Sequence, residues 1–477
     1  MNRRVVWTAL LLMAMSVRLL TLGSYPLHDK TEARYAEIAR VMVESNNWVT
    51  PQVFPDTPFW GKPPLSTWST ALSLWLFGAS EFAARLPSFL WCAFAIGLIL
   101  LAGGQCFTQA SGFAAAAVFL TSLLGFIGAG ATMTDPALLF SVTLSQMSFC
   151  MVITAHRPKT RYRYGLFVGV GLGLLAKGPI ALVLIGLPLL IWVIWERRFV
   201  WLWKTLPWVR GTTLAMAIAV PWYVAAEIRT PGFLNYFLIG EHVLRFVDSG
   251  WSGDLYGSAH EQARGTIWLY AIAATLPWSL IACVALVSAR HTAFSPSQWS
   301  ALEKFLMLCL SAPLLFFTFA GNILPTYVLP GIPAFSLLIG RWVVNRSSGL
   351  GVIGLLVPSL IGISVLSGFF ASADNRSQRD LIDYHAAHHL DKPLYYYPVI
   401  PMSARFYSEG SAIALDSESA LAHFVANPQN GWVAIKSKNL QHVPVDMSSC
   451  LVLEAVIHKY SIMAPSDVCR QKSAASE

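Results

Sequence analysis

Long apolar runs recur along this chain, and short polar stretches separate them. Lipid offers no water to backbone N–H and C=O groups, so a segment crosses a bilayer as a helix of roughly 20 apolar residues or within a closed barrel. The runs therefore predict an all-α polytopic membrane protein with about 11 to 13 spanning helices. Candidate spans lie at 5–22, 87–105, 111–131, 135–155, 164–181, 180–195, 208–226, 266–289, 304–320, 324–341 and 349–372.

The charges indicate how these spans are oriented. Only 12% of the 477 residues are charged, and the net charge is +8. Short basic loops orient a protein in a membrane, with the basic loops on the cytoplasmic side, and are weak evidence for nucleic-acid binding. With a cytoplasmic N-terminus, loops 23–86 and 227–265 and the tail face outward. The first apolar run follows Arg3 and Arg4 as in a signal peptide but lacks a small-x-small cleavage site, which favours an uncleaved span.

The tail has the composition of a soluble domain. Residues 373–477 alternate strand-like and helix-like segments and predict a small α/β domain, which leaves 1–372 as the transmembrane domain. Within the first outer loop, Thr31–Ser45 and Leu65–Gly78 predict two helices that lie at the membrane surface. Cys450 and Cys469 either pair, if the tail is in an oxidising compartment, or remain free thiols.

Ionisable residues concentrate in the first outer loop, although the chain is poor in charge. Glu32 and Arg34 stand where the chain leaves the first span, and Asp29 precedes them. Lys62 is fixed by Pro63 and the following proline, which hold its backbone extended just above the bilayer. The non-functional interpretation is a solvated surface helix with internal ion pairs for Glu37, Arg40 and Glu44, and ordinary contact with lipid headgroups for Lys62.

Three further candidates interrupt apolar spans. Asp135 begins a span, where it either caps the helix or faces a cavity. Lys177 is an intramembrane lysine, which is a functional candidate unless an acid pairs with it. Tyr327 lies in ILPTYVLPGIP, a span that its prolines predict to be broken, and broken spans are tolerated beside a cavity.

The second long outer loop, 227–265, adds more ionisable groups. Glu241 and Arg245 are four residues apart, and they either have a functional role or form an ion pair on one helix. The remaining candidates in this loop are His242, His260 and Arg264. All these candidates fall on the outer face. Cations gathered with carboxylates suit a phosphate leaving group and an acid that orients or deprotonates a hydroxyl.

The motifs that hold these residues resemble those of a known family. The segments YPLHDKTEARYAEIARVM, FWGKPPLSTW, SEFAARLPS, TDPALL, AKGP, EHVLRF and LPTYVLP are similar to GT-C membrane glycosyltransferases. The resemblance covers about residues 20–340. It is strongest to the aminoarabinose (lipid A) transferase branch of the protein O-mannosyltransferase superfamily, and it implies the GT-C fold.

The resemblance implies transfer of a sugar from an undecaprenyl-phosphate donor at the periplasmic face of the bacterial inner membrane, with inversion at the anomeric carbon. The acids it implies are Glu32 or Asp29, because Thr31 occupies the family's usual acid position, and Asp135. The donor phosphate is then held by Lys62, Arg34, Arg245, Tyr327 and Lys177. Gly61 replaces the family's glutamate, so no metal or other cofactor is expected. Membrane lipids are the expected surroundings, and a monomer without nucleic acid is expected.

The sugar and the acceptor stay open, because loop 250–265 departs from the family pattern. The acceptor is lipid A, another envelope glycolipid or a protein hydroxyl, and His242, Glu241, His260 and Arg264 are candidates for contacting it. Two further functions stay open: a polymerase or ligase of lipid-linked glycans, and a transporter or flippase of polyprenyl-linked sugars. A transporter predicts an internal repeat and charges along a path through the bundle. The sequence has no evident repeat, and its ionisable residues cluster at one face.

Overall fold

The chain folds into two compact units. The computed structural model describes residues 3–29, 31–54, 56–247, 251–256, 261–288, 298–345, 376–388, 392–426 and 431–466. The first unit comprises Met1–Gly23 and Val41–Val365, and the second comprises Ser24–Arg40 and Leu366–Glu477. The predicted boundary at residues 372 and 373 lies outside the described residues.

Helices dominate the first unit, which also contains a short antiparallel pair of strands, β1 (Gln52–Phe54) and β2 (Thr57–Pro58). A π-helix, Asn235–Leu244, and a 3₁₀-helix, Pro325–Gly331, interrupt the α-helices. The first helix of the chain is α1 (Arg3–Leu20), and α2 (Thr31–Ser45) contributes its residues from Val41 onward to this unit. The other α-helices are α3 (Leu65–Phe77), α4 (Glu81–Cys106), α5 (Gln109–Thr121), α6 (Leu123–Gly128), α7 (Asp135–Thr154), α8 (Thr160–Lys177), α9 (Ile180–Trp195), α10 (Phe199–Thr205), α11 (Trp208–Arg229), α12 (Arg245–Val247), α13 (Thr266–Ala274), α14 (Trp278–Ser288), α15 (Ala301–Phe317) and α16 (Ile332–Asn345).

Every predicted span within the described residues coincides with a helix or a broken helix, which confirms the all-α membrane architecture; segment 349–372 lies outside them. By length and composition, α4, α7, α11 and the continuous stretch Pro325–Asn345 are each long and apolar enough to cross a membrane. The pair α13 and α14 makes a fifth if its two parts count as one span. The other helices that match predicted spans are 13 to 18 residues long.

Two predicted spans are broken where the sequence supplies a reason. Ser122 separates α5 from α6, and its side chain caps α6 by accepting a hydrogen bond from the Gly125 N–H. Pro277 lies at the break between α13 and α14, which meet at 102°. Proline lacks the N–H that an uninterrupted helix needs. Pro325–Gly331 is 3₁₀-helical before α16 begins, which confirms that the span containing Tyr327 is irregular.

Small residues let α7 and α8 approach closely. A Cβ on Gly165 would collide with Ser148 Oγ, and one on Gly169 would collide with Ser145 Oγ. Close approach through glycine and serine is typical of helix pairs in membranes. The connection between the two helices is short, so they run antiparallel. The start of α7 at Asp135 therefore lies beside the end of α8 at Lys177.

The second unit contains the predicted α/β domain. Its helices are α17 (Arg379–His388), α18 (Met402–Tyr407), α19 (Glu418–Ala426) and α20 (Val445–Ser448), and its strands are β3 (Leu394–Tyr397), β4 (Ile413–Ala414), β5 (Trp432–Lys436), β6 (Leu451–Ile457) and β7 (Tyr460–Pro465). The sheet order is β4-β3-β5-β7-β6, in which β3 is parallel to β4 and β5, and β7 is antiparallel to β5 and β6. Cys450 is disulfide-bonded; Cys469, its predicted partner, lies outside the described residues.

The segment Ser24–Arg40 folds with the tail. The backbone N–H of Leu27 donates to the Tyr407 hydroxyl at 2.6 Å, and Arg40 donates to the Glu409 carbonyl at 3.2 Å. The Asp29 carboxylate accepts from the backbone N–H of Ser403 at 3.0 Å and also from the Ser403 hydroxyl. Sequence analysis placed this segment in the transmembrane domain, because nothing in its pattern reveals partners almost 380 residues away.

Replacing Ser403 by alanine should destabilise the second unit by about 1.5–3 kcal/mol, because the Asp29 carboxylate loses a charge-assisted hydrogen bond. The urea dependence of proteolysis in the tail measures this loss. Ser411→Ala is the matched control, since Ser411 is exposed and its hydroxyl donates to the nearby Ser408 carbonyl. Asp29→Asn separates a structural role from a chemical one: a variant with unchanged stability but no sugar transfer would assign Asp29 a chemical role instead.

Candidate active site

A buried carboxylate, Glu241, joins two of the predicted phosphate-binding cations. Lys62 Nζ lies 3.1 Å from Glu241 Oε2, and Arg245 lies 3.1 Å from Oε1 and 3.2 Å from Oε2. Arg245 also pairs with Asp254 at 3.3 Å. The Glu241 side chain is 5% exposed, whereas those of Lys62 and Arg245 are 20% and 19% exposed. The two cations are therefore the more accessible members of the network.

Local structure explains how these residues meet. Glu241 lies on the π-helix, and Arg245 follows it at the start of α12, so both face the same side four residues apart. Lys62 comes from the Gly-Lys-Pro-Pro turn before α3. The side chain of Asn322 donates to the Arg245 carbonyl at 3.0 Å and fixes the backbone there. Glu241 and Arg245 form the ion pair that was one of the two alternatives, and Glu241 also contacts Lys62 from a distant loop.

The electrostatics of the network favour the charged forms of Glu241 and Arg245. Burial alone would raise the pKa of Glu241, but Lys62 and Arg245 outweigh burial, and the net pKa lies below its ordinary value. Burial alone would lower the pKa of Arg245, whereas Glu241 and Asp254 raise it above its ordinary value. Glu241 and Arg245 are thus an ion pair at neutral pH, with the carboxylate buried.

A second network lies beside the first. Lys177 Nζ is 2.6 Å from Asp135 Oδ1 and stands 4.9 Å from the centre of the Tyr327 ring, close enough for a cation–π contact. His242 follows Glu241 in the chain, and its Nε2 lies 3.2 Å from the Lys177 carbonyl, which connects the two networks. The Asp135 and Lys177 side chains are 12% and 13% exposed. The predicted residues Lys62, Arg245, Tyr327, Lys177 and Asp135 therefore form one continuous constellation.

His242 lies between the two networks. Its Nδ1 is 2.8 Å from the Phe237 carbonyl and its Nε2 is 3.2 Å from the Lys177 carbonyl. Burial lowers the pKa of His242, although both carbonyls oppose that effect. A neutral ring donates to one carbonyl only, and the shorter distance favours a proton on Nδ1. His242 thus bonds within the π-helix through Nδ1, and its Nε2 faces the end of α8, where Lys177 is.

Comparison with known proteins shows which proteins this chain is similar to. The model of the dolichyl-phosphate-mannose-protein mannosyltransferase family matches residues 5–237. The chain is 30% identical over 381 residues to undecaprenyl phosphate-alpha-4-amino-4-deoxy-L-arabinose arabinosyl transferase 2 of Pseudomonas fluorescens, and 29% identical over 344 residues to the corresponding transferase of Erwinia tasmaniensis. The crystal structure of ArnT from Cupriavidus metallidurans bound to undecaprenyl phosphate superposes with a TM-score of 0.80 at 19% identity, over 97% of this chain and 98% of that one. The chain therefore has the GT-C fold of ArnT, and its sequence is similar to those of the aminoarabinose transferases.

The two sequence relatives are longer than the region they share with this GT-C protein. The alignments cover 77% and 71% of this chain but 66% and 59% of the relatives, which is less than two thirds of their length. The structural match at 19% identity establishes the fold, a GT-C helical domain followed by a small domain with a sheet.

Five other residues were predicted for the site. Glu32, Arg34 and Asp29 belong to the second unit, where the Glu32 carboxylate is buried and accepts from the His28 N–H at 3.2 Å. Arg34 stands 5.6 Å from the centre of the Tyr35 ring. Arg264 is exposed and makes no ion pair within the described part of the chain. His260 lies outside the described residues.

Sequence reasoning missed several members of the site in the GT-C unit. Asp254 stood in the charged loop 227–265 but was not singled out, because a loop sequence does not reveal which carboxylate faces Arg245. Tyr236 reaches towards Glu241 at 3.5 Å, and its ring packs near Trp60 and Trp251 at 5.9 and 6.0 Å. No group of three or more His, Cys, Asp or Glu in the described residues is arranged to hold a metal ion.

Proposed function

We propose that this GT-C protein is an inverting glycosyltransferase that moves a sugar from undecaprenyl phosphate to lipid A or another envelope acceptor at the periplasmic face of the inner membrane. One observation carries this proposal. Lys62, Arg245 and Lys177 converge from three separate parts of the chain upon a partly accessible site that also holds Tyr327 and Asp135. Converging cations and a phenol suit the phosphate of a lipid-linked donor.

The relatives support the choice of donor and sugar class. Two of them are named as arabinosyl transferases that act with an undecaprenyl phosphate sugar, and the ArnT crystal structure contains undecaprenyl phosphate. The donor for this chain is accordingly an undecaprenyl-phosphate-linked monosaccharide, with aminoarabinose as the first choice. The outer location follows from the positive-inside rule, which places the loops of Lys62 and Arg245 opposite the basic loops. The disulfide at Cys450 fits a tail in the periplasm.

The proposed chemistry needs no cofactor. The acceptor oxygen attacks the anomeric carbon as the bond from that carbon to the donor phosphate oxygen breaks, and the electron pair leaves with undecaprenyl phosphate. Lys62 and Arg245 stabilise the charge that develops on the phosphate. Asp135, which Lys177 fixes at 2.6 Å, orients an acceptor hydroxyl and takes its proton. Glu32 remains the alternative acid, and Asp29 its neighbour, both in the second unit.

A transfer assay tests this function. Purified protein in detergent is given radiolabelled undecaprenyl-phosphate aminoarabinose with lipid A, and labelled lipid A is measured with and without EDTA. We expect transfer in both conditions, with inverted anomeric configuration in the product. Absence of transfer from every undecaprenyl-phosphate monosaccharide supplied would refute the proposed donor class. Mass spectrometry of lipid A from a deletion strain identifies the sugar lost in cells.

A protein hydroxyl is the second candidate acceptor, because the matching family model is that of a protein mannosyltransferase. This candidate shares the donor chemistry and differs only in the attacking oxygen. Supplying denatured periplasmic protein in place of lipid A distinguishes the two, since label then appears on serine or threonine.

A further inference from the structure

The phosphate-binding cations of this site are already neutralised by the protein's own carboxylates. In the described residues, Lys62, Arg245 and Lys177 pair with Glu241, Asp254 and Asp135, three positive groups against three negative ones. A site without net charge attracts an anionic lipid headgroup weakly. An added phosphate next to Glu241 would also meet direct repulsion, which is strong between poorly hydrated groups.

We propose that Glu241 is an internal counter-anion, which the donor phosphate displaces from Lys62 and Arg245 and which returns when the product leaves. This inference rests on the proposed function, because it assigns Glu241 a place in donor binding. Glu241 is the residue concerned because both of its oxygens contact Arg245, and one of them also contacts Lys62. Its carboxylate thus occupies the position between two cations that a phosphate group would take.

Other contacts of the site agree with this role. Asp254 contacts Arg245 through Oδ2, and its Oδ1 accepts from the Tyr256 N–H at 3.0 Å. Asp254 therefore does not bridge Lys62 and Arg245. The Tyr236 hydroxyl lies 3.5 Å from Glu241 and accepts from the Leu255 N–H. A displaced Glu241 therefore retains a neighbouring hydroxyl that can donate to it.

The exchange has a consequence for turnover. Donor and product both carry a phosphate on the same lipid, so strong cations alone would hold the product as firmly as the donor. A carboxylate that competes for Lys62 and Arg245 weakens both complexes and speeds product release. The competing carboxylate lowers the affinity for donor and product equally. Such a change raises KM for the donor and leaves the rate of the chemical step unchanged.

Binding of undecaprenyl phosphate to Glu241→Gln tests the inference. We expect the dissociation constant of the variant to fall about tenfold, equivalent to about 1.4 kcal/mol, because glutamine removes the competing charge at nearly constant size. We also expect KM for the donor and kcat to fall together as product release slows. Glu227→Gln is the matched control, because within the described residues Glu227 accepts from the Gly232 and Leu234 N–H groups and pairs with neither cation. It should bind undecaprenyl phosphate as the unaltered protein does.

Weaker binding by Glu241→Gln would overturn the inference and make Glu241 a clamp that organises the cations. If that variant does not fold, carbodiimide labelling of the unaltered protein replaces it. Undecaprenyl phosphate should then increase modification of Glu241 several-fold and leave Glu227 unchanged, and constant labelling of Glu241 under saturating lipid would overturn the inference. Failure of the unaltered protein to bind undecaprenyl phosphate at all would refute the proposed function itself.

Discussion

Replacing Lys62 by alanine should lower kcat/KM for sugar transfer by roughly 100- to 1000-fold, as expected when one donor to a developing negative charge is removed. Lys62 is 20% exposed and comes from a loop held by prolines, so its ammonium group is available to a ligand at little cost in ordering. The loss should appear in transfer and in binding of undecaprenyl phosphate alike, because donor and product present the same phosphate. Radiolabel transfer and lipid binding in detergent measure the two effects.

Two controls make the Lys62 result specific. Lys204→Ala removes an exposed lysine from α10 and should leave transfer unchanged. Lys62→Arg keeps the charge and should recover part of the affinity, since guanidinium also binds phosphate but differs in length and shape. Full transfer by Lys62→Ala would remove Lys62 from the proposed site. If Lys62→Ala is inactive and thermal melting shows that it is unfolded, the activity and lipid binding of Lys62→Arg decide whether Lys62 contacts the phosphate.

The sequence predicted the framework of the protein well because lipid imposes strong rules. Helix length, the cost of a charge in lipid and the positive-inside rule constrain α4, α7 and α11 almost residue by residue. The tail was also predictable, since short apolar and aromatic runs indicate β3 and β5, and a single turn separates β6 from β7. The break between α5 and α6 at Ser122 was not predicted, because alanine and leucine residues continue the apolar pattern around it.

The sequence could not predict which side chains contact each other. Lys62 and Glu241 are separated by 179 positions, and nothing in either neighbourhood selects the other. Asp29 appeared as a candidate acid because it neighbours a motif, whereas the structure shows that it holds Ser403. Asp135 and Lys177 were each singled out as unusual in apolar surroundings, and their pairing follows once α7 and α8 are known to be antiparallel neighbours. Burial and charge thus identify the residues, and the fold assigns their contacts.

Replacing Asp135 by asparagine should also reduce transfer by roughly 100- to 1000-fold, in the range seen for loss of a general base. The variant has a second effect on the ion pair. The Lys177 side chain is only 13% exposed, and it loses the carboxylate that lies 2.6 Å from its Nζ. Removing one partner of a poorly exposed ion pair costs about 3–5 kcal/mol. Loss of activity in the single variant therefore does not distinguish a catalytic acid from a structural one.

The double variant Asp135→Asn with Lys177→Met separates these roles. It removes both charges, so the thermal stability lost in Asp135→Asn should largely return, because no uncompensated charge is left between α7 and α8. If Asp135 orients or deprotonates the acceptor, transfer stays at the level of Asp135→Asn despite restored folding, and binding of undecaprenyl phosphate weakens only by the contribution of Lys177. Recovery of transfer together with stability would instead make the pair a structural bridge and leave Glu32 as the acid to be tested.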